Sequence, residues 1–198
     1  MITIFDYGAG NLRSVQNTLD EIGAEYRVVN DAASLETATK IILPGVGHYG
    51  QLLRSLDALN VRDTLVSRIK ADVPFLGICL GLQALFDSSE EAPEERGLGI
   101  FPGAVRRFDN TARVPHMGWN QLELVKPSKL LAGLPASPHV YFANSYYCPV
   151  IGATSAICEY TVPFTAVLEQ DNVHGVQFHP EKSGPAGIAI VRNFVELC

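Results

Sequence analysis

Val73-Pro74-Phe75-Leu76-Gly77-Ile78-Cys79-Leu80-Gly81-Leu82-Gln83 is the stretch on which the fold turns. Val73–Ile78 is an almost unbroken apolar run, which suits a short strand buried on both faces, as in parallel sheets covered by helices. It passes without a loop into a helix predicted to open over Leu80–Phe86, and the junction reads glycine-x-cysteine-x-glycine.

Upstream, the same alternation repeats. Ile2–Phe5 reads as a strand ending at the turn-formers Gly8-Ala9-Gly10-Asn11. Leu12, Val15, Leu19 and Ile22 then recur on one helical face, and Gly23 is placed to stop that helix. Tyr26–Val29 is a second strand, and Lys40–Leu43 a third that runs into Pro44-Gly45-Val46-Gly47. Leu52, Leu53, Leu56 and Leu59 mark another amphipathic helix, continued after a break by Val61, Leu65, Val66 and Ile69. Strand and helix alternate, so the predicted fold is α/β: a doubly wound, flavodoxin-like, mostly parallel sheet flanked by helices. From Gly97 the pieces become short and β-rich: Gly103–Phe108, Gln121–Val125, Val140–Asn144, Ala153–Cys158, Thr165–Leu168 and Val173–His179. These predict an antiparallel extension packed on the parallel core, closed by a helix over Ala186–Glu196. No repeat or low-complexity linker divides the chain, and residues 1–198 are expected to form a single domain.

Composition narrows the function. The 198 residues are 47% hydrophobic and carry a net charge of −6. Disorder does not fit that apolar content, and an acidic chain lacks the cations that neutralise nucleic-acid phosphates or anionic membranes. Four cysteines, Cys79, Cys148, Cys158 and Cys198, are too few for a disulfide scaffold and fit a reducing cytoplasm. Neither a signal peptide nor an apolar run of membrane-spanning length is visible, so a soluble cytoplasmic protein is expected. The acidic stretch Glu90, Glu91, Glu94 and Glu95 is expected to be a solvated loop.

Three loops carry chemistry. At Gly77-Ile78-Cys79-Leu80-Gly81 a sharp strand-to-helix turn would leave no room beside the cysteine, which explains the glycines. It would also set the sulfur at a helix N-terminus, where a thiolate is favoured. The bland alternative is a buried structural cysteine. Phe178-His179-Pro180-Glu181, ending another apolar strand, supplies a base and a carboxylate to orient it. Pro44-Gly45-Val46-Gly47 allows backbone N–H groups close to a ligand and, with the Leu80 N–H, could form an oxyanion hole. Its two glycines would also make reorientation of the Val46 peptide inexpensive. By contrast, Gly8-Ala9-Gly10-Asn11-Leu12-Arg13 is a weak nucleotide fingerprint: Arg13 occupies the third glycine position, and no acidic residue closes the second strand. His48, His116, His139, His174 and His179 are scattered without zinc-type spacing, so neither a metal nor another cofactor is expected.

Pro44–Gly47, Gly77–Gln83 and His179-Pro180-Glu181-Lys182-Ser183 together resemble the class I (triad) glutamine amidotransferases. Asp6–Leu12, Pro115-His116-Met117-Gly118-Trp119-Asn120 and Tyr141–Tyr146 are similar to the glutaminase subunits of the imidazole glycerol phosphate synthases. Ala143-Asn144 departs from the more familiar Val/Cys-His pair before Ser145. The resemblance implies Cys79 as nucleophile, His179 as acid and base, and Glu181 as its orienter. It also implies an oxyanion hole from Leu80, Val46 and Gly47, and a glutamine pocket with Gln83, Ser145 and Tyr146. Ammonia released into water would be protonated and lose its lone pair. The resemblance therefore implies a separate (β/α)8-barrel cyclase partner that consumes it to make imidazole glycerol phosphate and AICAR. Asn11, Trp119, Tyr141 and Lys182 would face that partner. The alternatives are another amidotransferase pathway, a stand-alone γ-glutamyl cysteine hydrolase, and a non-catalytic binding module that keeps the fold.

Overall fold

The structure, a computed structural model, describes residues 1–9 and 11–198. Gly10, part of the predicted first turn, lies outside the described residues. The chain runs β1 (Ile2–Phe5), α1 (Leu12–Glu21), β2 (Tyr26–Val29), α2 (Ala32–Glu36), β3 (Ile41–Gly45), α3 (Tyr49–Ala58), α4 (Arg62–Lys70) and β4 (Phe75–Cys79). It continues through α5 (Leu80–Gln83), β5 (Phe86–Ser89), β6 (Phe101–Arg107), β7 (His116–Gln121), β8 (Glu123–Leu124), β9 (His139–Asn144) and β10 (Tyr146–Tyr147). Last come β11 (Thr154–Tyr160), β12 (Val162–Gln170), β13 (Val173–Val176), a 3-10 turn at Pro180–Lys182 and α6 (Gly184–Leu197).

The central sheet has eight strands in the order β2-β1-β3-β4-β13-β12-β11-β8. The first five are parallel and the last three antiparallel. Strand alternation sorts the parallel strands onto two cores. Phe5, Ile41, Leu43 and Phe75 pack with Leu52, Leu53, Leu56, Leu65 and Ile69 from α3 and α4. Ile2, Ile4, Ile42, Leu76 and Ile78 pack with Val15 and Leu19 of α1 and with Ile190, Val191 and Phe194 of α6. This is the doubly wound arrangement predicted: a strand buried on both faces needs apolar residues at every position.

The antiparallel strands β12, β11 and β8 are the predicted antiparallel extension, added edge to edge to the parallel core through β13. Other details of the second half depart from expectation. The helix predicted over Leu80–Phe86 stops at Gln83, and Phe86–Ser89 becomes a strand in parallel register with β6. The Leu85 carbonyl there accepts from the Ile100 and Phe101 N–H groups at 2.9 and 3.0 Å, a long-range pairing that local periodicity cannot reveal. The predicted strand Gln121–Val125 is split. Its first residue ends β7, the Leu122 N–H turns to the Pro138 carbonyl, and only Glu123–Leu124 pairs with β11. Two small sheets complete the fold, β10-β6-β5 and the ribbon β7-β9.

Register brings three loops to one place. Gly45 pairs with Cys79, and Val176 with Ile78, so β3, β4 and β13 all end at the same sheet edge. Ligand sites in open α/β sheets lie beyond this carboxyl edge.

Candidate active site

Cys79 sits at the junction of β4 and α5 with φ 52° and ψ −104°, a left-handed conformation that L residues avoid. Such strain persists where the surroundings over-determine it. Here they do. A Cβ on Gly77 would meet the Gly81 carbonyl oxygen at 2.5 Å, and one on Gly81 would meet the Leu43 oxygen at 2.0 Å. The elbow is therefore closed against β3 by backbone contact, and the sulfur is pushed out to the sheet edge.

Cys79 lines a cavity of about 360 Å³ together with Val46, Gly47, Leu80, Gln83, Ser145, Tyr146, Lys182 and His179. Beyond Val176 the chain leaves β4. The Gln177 N–H bonds the Ala166 carbonyl and the His179 N–H bonds the Tyr141 carbonyl of β9, each at 2.9 Å. Those bonds turn the His179 ring into the cavity. Its Nδ1 lies 2.9 Å from Glu181 Oε1, with both side chains almost wholly buried. Burial by itself pulls the His179 pKa down. The hydrogen bond and negative charge of Cys79, and then those of Glu181, outweigh it and push the value up to about 10. The imidazole is thus favoured as a cation beside the sulfur.

Glu181 is fixed from the other side by Asn11, whose Nδ2 donates to the same Oε1 at 3.2 Å. Asn11 in turn accepts from Ser14 Oγ at 2.8 Å. The residue expected at a partner interface therefore also belongs to the network behind His179. Trp119 and Tyr141 sit opposite each other on the β7-β9 ribbon, their rings 6.1 Å apart and edge-on. Trp119 is 57% exposed and Met117, two residues earlier, 61%. Lys182 is exposed at the cavity rim.

The Pro44–Gly47 loop lies hard against the elbow: a Cβ on Gly45 would meet Leu80 Cβ at 2.6 Å and the Gly81 nitrogen at 2.7 Å. The Val46 N–H is engaged by Tyr7, donating to its hydroxyl at 3.2 Å, while the Val46 carbonyl lies 3.2 Å from the same oxygen. In this conformation it is not a free donor to the cavity. Burial pushes the Tyr7 hydroxyl up to about 12, so it stays neutral and can serve both groups.

Four residues that line the cavity, Glu91, Pro115, Ala143 and Asn144, were not among the expected site residues. Glu91 was expected in a solvated loop, but it lines the cavity, and its Oε2 accepts the Tyr49 N–H at 2.7 Å. Its neighbours are engaged as well: Glu90 accepts from the Arg107 N–H at 2.8 Å, and Glu95 pairs with Arg54 at 2.9 Å. A run of carboxylates reads as solvated unless something marks the folding of its loop, and the strand β5 that carries this loop back to α3 was itself not legible. Among the described residues no cluster of histidine, cysteine and carboxylate side chains could hold a metal.

The family described as Glutamine amidotransferase class-I matches residues 3–198. The chain belongs to the class-I glutamine amidotransferases. It is 48% identical over 198 residues to the imidazole glycerol phosphate synthase subunit HisH of Methanothermobacter thermautotrophicus, covering 100% of this chain and 98% of that protein. It is 43% identical to the chloroplastic imidazole glycerol phosphate synthase hisHF of Arabidopsis thaliana, covering 98% of this chain but 34% of that longer protein. A crystal structure of a glutamine amidotransferase superposes with a TM-score of 0.78 at 22% identity, covering 99% of this chain and 97% of the other, and shows that the fold is shared.

Proposed function

We propose that the chain is the glutaminase subunit of an imidazole glycerol phosphate synthase, which hydrolyses glutamine and passes ammonia to a separate cyclase subunit. The observation that carries the chemistry is the cavity shared by Cys79 and His179, with Glu181 at 2.9 Å behind the imidazole. Full-length relatives carrying the HisH name support the pathway.

In this reading the Cys79 thiolate adds to the side-chain amide carbon of glutamine. The tetrahedral oxyanion is met by the Leu80 N–H and, once the loop reorients, by Val46 or Gly47. Collapse breaks the C–N bond as His179 gives its proton to the leaving ammonia, and a thioester remains. Neutral His179 then takes a proton from water, which attacks the thioester. Glutamate leaves and the thiolate–imidazolium pair returns. Glu181 holds the ring and stabilises its cationic form. Gln83, Ser145 and Tyr146 would hold the amino-acid end of the substrate, and the Glu91 carboxylate would face its α-ammonium.

The cyclase would seat on the face bearing Trp119, Tyr141, Asn11 and Lys182. An exposed tryptophan beside an exposed methionine on a two-stranded ribbon has the make-up of an interface anchor. The same ribbon reaches the site: Tyr141 accepts from the His179 N–H, and its own N–H donates to Ser183 Oγ at 2.9 Å. No helix among the described residues is long and apolar enough to cross a membrane, and a cytoplasmic location accords with the free cysteines.

The test uses Cys79→Ala with the cyclase subunit. Glutamine-dependent synthesis should vanish while ammonia-dependent synthesis survives. Unchanged glutamine use would favour the non-catalytic alternative, and glutamine hydrolysis indifferent to the cyclase would favour a stand-alone hydrolase.

A further inference from the structure

Gln177 is fully buried, and the reaction just described does not use it. We propose that Gln177 is a catalytic residue that holds the Cys79 sulfur as a hydrogen-bond acceptor, at the end of a relay whose direction is set by the Tyr146 carbonyl. The proposal rests on the glutaminase reading and deepens it.

The relay has one direction. A backbone carbonyl can only accept, so the Gln83 atom 2.9 Å from the Tyr146 oxygen must be Nε2. That same Nε2 lies 3.1 Å from Gln177, whose facing atom must therefore be the oxygen Oε1. The other end of the Gln177 amide is then the nitrogen, and it points at Cys79 Sγ, 3.7 Å away. Asn144 Nδ2 fills the second acceptor position of the Tyr146 carbonyl at 2.9 Å, so a donor hydroxyl or water is not needed there. Reversing Gln83 would set oxygen against oxygen. Reversing Gln177 would set two amide nitrogens together and an oxygen against the sulfur. Both errors would be buried, where unsatisfied polar groups are costly.

The consequence is chemical. An N–H aimed at sulfur stabilises the thiolate more than the thiol, because a hydrogen bond to a charged acceptor is the stronger. His179 approaches as a cation, and Gln177 supplies a neutral donor that remains when His179 gives its proton away. The backbone of Gln177 is held by the Ala166 carbonyl, so this donor is fixed before substrate arrives.

The experiment measures the pH profile of Cys79 alkylation by iodoacetamide in the folded chain, read by peptide mass, with circular dichroism as the folding control. Gln177→Met, which keeps the bulk and removes the donor, should move the midpoint of that profile up by about 1–2 pH units, the loss of one hydrogen bond to a charged acceptor. A folded Gln177→Met chain whose profile keeps the wild-type midpoint overturns the proposal. Gln177→Glu decides if the methionine variant does not fold. Its carboxyl still accepts from Gln83 but donates to sulfur only while protonated. Its alkylation rate relative to wild type should therefore fall as pH rises, and a ratio independent of pH overturns the proposal. A glutamine-shaped electrophile separates the two readings. If wild-type Cys79 reacts with iodoacetamide but not with that electrophile, the glutaminase reading fails, and the iodoacetamide results still judge Gln177.

Discussion

The elbow at Cys79 and the turn at His179 reach one cavity by different physics. The elbow is held by steric necessity: a Cβ added at Gly77, Gly81 or Gly45 would meet backbone or a buried side chain at 2.0–2.7 Å. The His179 turn is held by polar ties: its N–H to Tyr141, Ser183 Oγ to the His179 carbonyl at 2.7 Å, Glu181 to the ring, and Asn11 to Glu181. A steric device fails all at once, whereas a polar network weakens bond by bond. The Cys79 elbow is thus rigid, while His179 hangs from the ribbon that carries Trp119 and Tyr141.

The sharpest break of this contrast is Gly81→Ala. Its methyl would sit 2.0 Å from the Leu43 oxygen, a backbone atom of β3 that cannot swing aside as a flexible side chain would. Overpacking of this kind costs about 3 kcal/mol or more, a large share of a typical domain's roughly 5–15 kcal/mol. Soluble yield and the thermal midpoint should both collapse. A variant with wild-type stability would show that the elbow is not held sterically.

The same contrast explains what could be read without coordinates. The parallel half was legible because each buried strand is a local apolar run and each helix a local 3.6-residue pattern, so Ile2–Phe5 and the Gly23 stop both fell in place. The elbow was legible because its glycines are local necessities. Leu80–Phe86, by contrast, reads as helix, and only the pairing of Phe86 with Phe101 shows that a strand begins there. Asn11 and Glu181 are 170 residues apart, and nothing near either announces their hydrogen bond. Glu91 was hidden in the same way, within a run whose charge suggests only water.

Next in size is Glu181→Gln, which keeps the shape behind His179 and removes the charge. Glutamine turnover in the complex should fall about 10²- to 10⁴-fold, the usual scale for a misdirected general base. Stability should change with pH in a set direction. The folded His179 pKa is raised to about 10 from an unfolded value of about 6.5. Its contribution is therefore complete below pH about 6.5 and is lost as pH rises through about 10. Thermal midpoints across that window should decline in the wild type and decline less in Glu181→Gln. An identical slope in the two proteins would remove Glu181 from the network.

Trp119→Ala moves the disturbance to the ribbon. Exposed in the free chain, Trp119 contributes little to folding, and stability should stay within about 0.5 kcal/mol. If the ribbon is the cyclase seat, affinity for that subunit, measured by calorimetry, should fall roughly 30-fold, as for an interface anchor worth about 2 kcal/mol. Unaltered affinity would place the partner elsewhere.

The smallest expected effect is the most discriminating. Asn11→Ala removes one donor at 3.2 Å from Glu181 Oε1 and leaves the His179–Glu181 bond in place. One such hydrogen bond is worth about 1 kcal/mol, so kcat should fall about fivefold. Asn11 does not line the cavity shared by Cys79 and His179, so KM for glutamine should not change. Asn11→Asp should do worse than alanine, because it sets a second carboxylate against Glu181. If Asn11 acted only through the cyclase face, alanine and aspartate would instead weaken complex formation and spare kcat at saturating partner. The split between kcat and partner affinity thus decides whether the polar side of the site ends at Glu181 or extends through Asn11 into the first helix.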